Sequence, residues 1–230
     1  VTGLRIIDRQ ELLQREPHLN PAVLAALFCE DTGVTSPYEF AIALAENSLA
    51  NGIELRLQEE VLAIEPLAGE FHVQTSRGSL RTRCVINCAG VFSDRIAAMV
   101  GSDDYRITPR RGQYVILDKD QNHLARSVIF QVPTRLGKGI LVTTTFHGNL
   151  MIGPNAEEID DKTDVGTDAE TLANIVSQAR RSVPGFDMRK TLTSFAGNRP
   201  VANQKDWVID ASRIKGFINL IGIDSPGLTA

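Results

Sequence analysis

Three short segments combine residue types that bring backbone or charge close to a bound anion. The first is Val85-Ile86-Asn87-Cys88-Ala89-Gly90-Val91-Phe92-Ser93, an apolar run that ends in small residues and opens a helix. Small residues let a ligand approach the main chain, and a helix N-terminus favours negative charge. The second is Ala196-Gly197-Asn198-Arg199-Pro200. Here Arg199 is expected to be held between a glycine turn and a proline, and its forked guanidinium suits carboxylate or phosphate. The third is Leu220-Ile221-Gly222-Ile223-Asp224-Ser225-Pro226-Gly227-Leu228-Thr229. A strand ends at Gly222 and the Ser-Pro pair caps a helix, so N–H groups point at a ligand above the strand's C-terminal edge. Taken singly, each segment also reads as an ordinary strand–turn–helix joint or a structural salt bridge.

Other reactive types lack such settings. His147 falls in the turn Phe146-His147-Gly148-Asn149 and reads as a solvated turn histidine, while His18, His72 and His123 have no motif around them. Arg110-Arg111-Gly112-Gln113 is either a basic edge strand or a wall of a substrate pocket. Lys205 adds positive charge near Arg199. The acidic stretch Glu157, Glu158, Asp160, Asp161 and Asp164 reads as a solvated loop without the alternating ligands of a calcium site. No metal site is expected. Cys29, Cys84 and Cys88 have no metal-ligand spacing, and an odd count suggests no disulfide framework. Cys84 and Cys88 read as small buried hydrophobes of one apolar strand, and a reducing, cytoplasmic setting is expected. No side chain is singled out as a catalytic base.

The elements that must position these segments follow from period and punctuation. Asp8 to Arg15 reads as a helix and Ala25 to Cys29 as a strand. Ser36-Pro37-Tyr38-Glu39 predicts a helix start with a serine cap and a capping box, running to about Ala50 before Gly52. Strands are predicted at Ile53–Leu57, Glu60–Ile64, Glu70–Thr75 and Leu80–Asn87, with a hairpin at Ser76-Arg77-Gly78. A helix covers Ser93 to Val100. Beyond Arg106 the pattern turns antiparallel: Gln113–Leu117, Ser127–Gln131, Ile140–Thr145 and Leu150–Gly153. Thr167-Asp168-Ala169-Glu170 is a second capping box, opening a helix to about Arg181. Strands near Leu192–Ala196, Trp207–Asp210 and Phe217–Leu220 complete the chain. The fold class is α/β followed by α+β, with the last strand returning to the first unit.

Composition excludes some partners. The 230 residues are 43% apolar and 23% charged with a net charge of −4, and the pI is near 5.6. A nucleic-acid-binding surface would normally be basic. No apolar run approaches the ~20 residues that span a bilayer, which leaves peripheral membrane association open. The chain begins at Val1 and ends just after a turn, and both ends read as cuts in a longer protein.

The segments CAGVFSDRIA, TPRRGQYVILDK, LMIGPNA, SFAGNRPV and GIDSPGLTA, in that order, resemble the D-amino-acid-oxidase-like flavoproteins. Within that superfamily the chain is most similar to FAD-dependent glycerol-3-phosphate dehydrogenases and L-2-hydroxyglutarate oxidases. The resemblance implies FAD contacts at Val61, Cys88, Ala89, Gly90, Gly222, Ile223, Asp224 and Ser225, with Gly227, Leu228 and Thr229 beside the flavin. It assigns Arg199 to the anionic group of a small substrate, and Ser225 to Gly227 to charge on the reduced flavin. The expected reaction oxidises glycerol 3-phosphate to dihydroxyacetone phosphate, with the electron acceptor unspecified. L-2-hydroxyglutarate, an amino acid, or a non-catalytic binding role are the alternatives. The family's Gly-x-Gly-x-x-Gly fingerprint is absent and would lie before Val1, so this chain by itself is expected to hold FAD poorly. The implied architecture is a partial, Rossmann-like FAD-binding unit (36–101 and 216–230) with an antiparallel-sheet substrate domain (1–35 and 102–215).

Overall fold

The computed structural model describes residues 3–133, 139–211, 214–225 and 227. In chain order its strands and helices are β1 (Leu4–Asp8), α1 (Arg9–Arg15), β2 (Ala25–Cys29), α2 (Pro37–Ala50), β3 (Val61–Pro66), β4 (Phe71–Thr75), β5 (Gly78–Thr82), β6 (Val85–Asn87), α3 (Ser93–Ala98) and β7 (Ile107–Leu117). There follow β8 (Leu141–Thr144), β9 (Leu150–Gly153), β10 (Glu157–Glu158), α4 (Ala169–Ala179), β11 (Thr191–Ala202), β12 (Val208–Asp210) and β13 (Phe217–Ile221). The chain forms two compact units. One comprises residues 1–41, 112–157 and 165–197, the other 42–111, 158–164 and 198–230.

The first unit is antiparallel. β8 pairs with β9, and β9 with β7. Alternate residues of these strands are sequestered: Val115, Leu117, Val142, Leu150 and Ile152 join Leu12, Ile175 and Phe186 in one core. That alternation is what a sheet with one covered face requires. A short β1–β2 hairpin pairs Leu4 with Cys29 through Asp8 with Ala25; β1 carries no strand signal strong enough to be expected from the sequence. Asp8 caps α1 by accepting from the Glu11 N–H at 2.9 Å. Glu11 in turn takes Arg5 and Arg15, which hold its carboxyl down at about 2.

The second unit holds two three-stranded sheets. β4 is the centre of β3-β4-β5, and β13 is the centre of β12-β13-β6. β13 runs parallel to β6 and antiparallel to β12, so the last strand does return to the segment around Gly90. Phe71 and Phe217, both buried, lie 6.1 Å apart in a core with Ile64, Val73 and Val100.

Several local expectations need correction. Ser36 Oγ is buried and makes no hydrogen bond among the described residues, so it does not cap α2. Glu39 pairs with His147 instead of closing a capping box. At the fourth helix the cap is Asp168, which accepts from Thr171 N–H at 2.8 Å, while Thr167 meets Ser194. Residues 53–57 form no strand; Ile53, Leu55 and Leu57 are exposed, and a strand needs a neighbour to take its N–H and C=O groups. Leu80–Asn87 is two strands in two sheets, parted at Arg83 and Cys84. Cys84 and Cys88 are exposed thiols rather than buried ones. Ser127–Gln131 is reduced to a single bridge between Ile129 and Val142. The acidic stretch is not merely solvated, because Glu158 pairs with Arg110 and Asp164 with Arg111.

One ion pair pins that acidic loop. Lys162 Nζ lies 2.5 and 2.6 Å from the two oxygens of Asp94 at the start of α3, and both side chains are largely buried, 10% and 14% exposed. Burial opposes ionisation of Asp94, but Lys162 and the Ile107 N–H outweigh it, so the carboxyl titrates below its ordinary 3.8. Its stabilisation is therefore complete above that ordinary value and is lost as pH falls through the lower folded value. In urea titrations the stability gap between wild type and Asp94→Asn should be widest near about pH 6 and shrink toward about pH 2. A gap of constant size would remove the ion pair from this account. In the same unit, Phe217→Ala should cost about 3–5 kcal/mol, read as a lowered urea midpoint.

Candidate functional site

All expected site residues that the structure describes belong to the second unit. β6 and β13 are parallel neighbours in which Asn87 stands opposite Asn219. Counting on from that pair, Gly90 and Gly222 each follow by the same interval and both have positive φ, +55° and +72°. Two glycine turns thus follow the C-terminal ends of adjacent parallel strands, directly in a 3-10 turn after β6 and after two further extended residues in β13; open α/β sheets bind ligands at such strand ends. They differ in what they permit. A Cβ on Gly222 would lie 2.7 Å from the Ala202 Cβ, so the main chain there is pressed against β11. A Cβ on Gly90 would meet nothing within 4 Å, so the space above that turn is open.

Cys88 and Gly90 are exposed and Ala89 is half-buried, while Gly222 is buried and Ile223 and Asp224 are half-buried. The Asp224 N–H donates to the Gly222 carbonyl at 2.9 Å. Gly227 is tight, because a Cβ there would come within 2.5 Å of the Asp224 oxygen; Ser225 is exposed. Leu228 and Thr229 lie outside the described residues. Val61 stands apart from the two turns, as the first residue of β3 in the other sheet, packed against the Phe71–Phe217 core.

Arg199 lies within β11, not between a glycine turn and a proline, for the strand runs unbroken from Thr191 to Ala202. Its side chain is half-buried and makes no hydrogen bond or ion pair among the described residues. An unpaired cation that has lost part of its hydration is costly unless an anion arrives. The neighbouring Asn198, on the opposite strand face, donates to the carbonyls of Lys162 at 3.2 Å and Asp164 at 2.8 Å. β11 is thereby tied to the pinned acidic loop, and the backbone that carries Arg199 is fixed. Lys205 lines a cleft of about 250 Å³ with Val201, Ala202, Trp207, Gly222 and Asp224, which places its charge beside the second glycine turn. The larger depression, about 480 Å³, runs along α1 and contains none of the expected site residues.

Some features have no counterpart in the sequence reading. Asn87 and Asn219 are buried and hydrogen-bonded to each other at 2.8 Å. His147 is a turn residue as expected, but its Nε2 lies 3.0 Å from Glu39 and 3.3 Å from the Tyr38 hydroxyl. No group of metal-ligating side chains occurs among the described residues.

The residues present fit FAD in kind: two glycine turns after parallel strands, with open space over one of them. The family model for FAD dependent oxidoreductases (DAO) matches residues 1–230. The chain is 43% identical over 231 residues to a glycerol 3-phosphate dehydrogenase of Caloramator mitchellensis, covering 100% of this chain and 48% of that protein. It is 32% identical over 237 residues to a glycerol 3-phosphate oxidase of Mycoplasma genitalium, covering 100% and 62%. Among solved structures it superposes on the dithionite-reduced L-alpha-glycerophosphate oxidase of Mycoplasma pneumoniae with FAD bound, with a TM-score of 0.92 and 30% identity over 100% of this chain and 62% of that one. The chain therefore spans about half to under two thirds of the length of these relatives. The mixed α/β and antiparallel class expected from the sequence is the one observed, and the chain belongs to the DAO family of FAD-dependent oxidoreductases.

Proposed function

We propose that the chain serves an enzyme that oxidises glycerol 3-phosphate to dihydroxyacetone phosphate. The observation that carries this reading is Arg199, half-buried and without a counterion among the described residues, in the same unit as both glycine turns. FAD, when bound, accepts the hydride from the carbinol carbon; the protein's part is anchoring, orientation and charge. Ala89–Gly90 and Gly222–Asp224 offer N–H groups and close backbone approach to the cofactor. Cys88, Ile223, Ser225 and Gly227 line the same two turns, and Leu228 and Thr229 follow in sequence. Val61 is assigned to the cofactor on family resemblance alone. Arg199 grips the phosphate, which fixes the carbinol end of a three-carbon substrate by the rigidity of β11. The ties from Asn198 to the acidic loop supply that rigidity.

A carboxylate would satisfy the same guanidinium, so L-2-hydroxyglutarate is the second reading. Among the described residues no helix is long and apolar enough to cross a membrane. The three cysteines are unpaired, which supports a reducing compartment such as the cytoplasm.

Arg199→Leu in the full-length protein should lose a charge-assisted contact worth about 1.5–3 kcal/mol. kcat/KM for glycerol 3-phosphate then falls by about one to two powers of ten, with flavin content unchanged. Activity toward glycerol, which lacks the phosphate, should be indifferent to the change. Flavin and activity falling together would make Arg199 structural.

A further inference from the structure

Asn87 and Asn219 are polar residues in otherwise apolar strands, and they are 2% and 0% exposed. Asn87 Nδ2 donates to Asn219 Oδ1 at 2.8 Å and to the Ser93 carbonyl at 2.8 Å. Its Oδ1 accepts from the Ala89 N–H at 3.3 Å. One side chain therefore touches the neighbouring strand, the first residue of α3 and the first turn that faces the open space over Gly90. Ser93 Oγ, donating to the Gly90 carbonyl at 2.7 Å, closes the loop from the other side. Asn219 Nδ2 is buried with no partner among the described residues, so the pair is not there for the yield of its hydrogen bonds. Replacing a buried polar pair by apolar groups is often neutral or stabilising, and polar pairs of this kind are best attested as devices that fix register.

Register matters at this point. A slip of one residue between β6 and β13 would turn every side chain to the other face. It would also part the two amides and shift the Gly90 turn by one residue against the Gly222 turn. We propose that Asn87 and Asn219 are positioning residues for the cofactor: their amide pair fixes the register of the two strands from which the glycine turns extend, and Asn87 ties the Ala89 N–H in place. This rests on the reading that the two turns face FAD.

The test uses the full-length protein and three variants: Asn87→Leu, Asn219→Leu and the double leucine variant. Thermal stability, FAD dissociation by quenching of flavin fluorescence, and the visible circular dichroism of bound flavin are measured for each. Asn87→Leu takes from Asn219 its side-chain partner, Asn219→Leu takes from Asn87 one of three, and each should lose stability. The double variant should regain most of that stability, since neither amide remains. FAD affinity should nevertheless stay at least about tenfold weaker in all three, with an altered flavin dichroism, and KM for glycerol 3-phosphate at saturating FAD should not move. If affinity recovers in step with stability in the double variant, the pair is merely structural and the proposal falls. If the leucine variants do not fold, the smaller Asn219→Ser must still weaken FAD binding, and unchanged binding overturns the proposal. Failure of the unsubstituted protein to bind FAD would instead overturn the reading of the turns themselves, and the proposal with it.

Discussion

The parallel pairing of β6 with β13 joins side chains that lie 132 positions apart in the chain. It involves only the residues from Val85 to Asn87 and from Phe217 to Asn219, fewer bonds than an isolated pair of strands needs to persist. What holds it is burial on both sides of the pairing. Phe217 sits in the core with Phe71 and Val100, with Val85 packed against it, and Ile221 sits in a second cluster with Ala97 and Ile107. α3 lies over the same strands through Ser93 and Ala97, both buried. Each expected cofactor contact among the described residues, except Val61, follows one of these two strands, so packing beneath them sets where these residues stand.

Charge is arranged differently around the same unit. The acidic loop would repel an anionic substrate if its carboxylates were free. Two of them, Glu158 and Asp164, are instead engaged by Arg110 and Arg111, and the loop's own Lys162 engages Asp94 of α3. Arg199 is left as a half-buried cation with no such engagement among the described residues. Arg110 and Arg111 are thus set apart from Arg199 by how the acids are distributed among the described residues.

How far this could be read from residues alone depended on range. Local punctuation located α2 and α4 to within about two residues, although the cap expected for α2 does not form. The return of the last strand was legible from two apolar runs that each end in small residues. What local signals could not give was choice of partner. Leu80 to Asn87 reads as one strand, and only tertiary pairing divides it between two sheets. Residues 53–57 carry a strand pattern, yet Ile53, Leu55 and Leu57 find no neighbour among the described residues. The serine before α2 has a capping sequence, yet its buried Oγ makes no hydrogen bond among the described residues, and Glu39 turns to His147. The asparagine pair left a faint trace that was passed over. In Val85-Ile86-Asn87 and Phe217-Ile218-Asn219-Leu220-Ile221 a lone amide interrupts an apolar run, and a buried amide must find a partner.

The wide separation of the two strands also has a consequence in time. A chain made at about 5–20 residues per second needs roughly 7 to 26 seconds to pass from Asn87 to Asn219. Throughout that interval β6 has no β13 beside it, and the Ala89–Gly90 turn hangs from a strand whose partner has not been made. β3, β4 and β5 can meanwhile close as a local meander, since their pairing needs nothing made later. The paired ends of β6 and β13 are therefore completed only after Asn219 has been made, later than the meander can close.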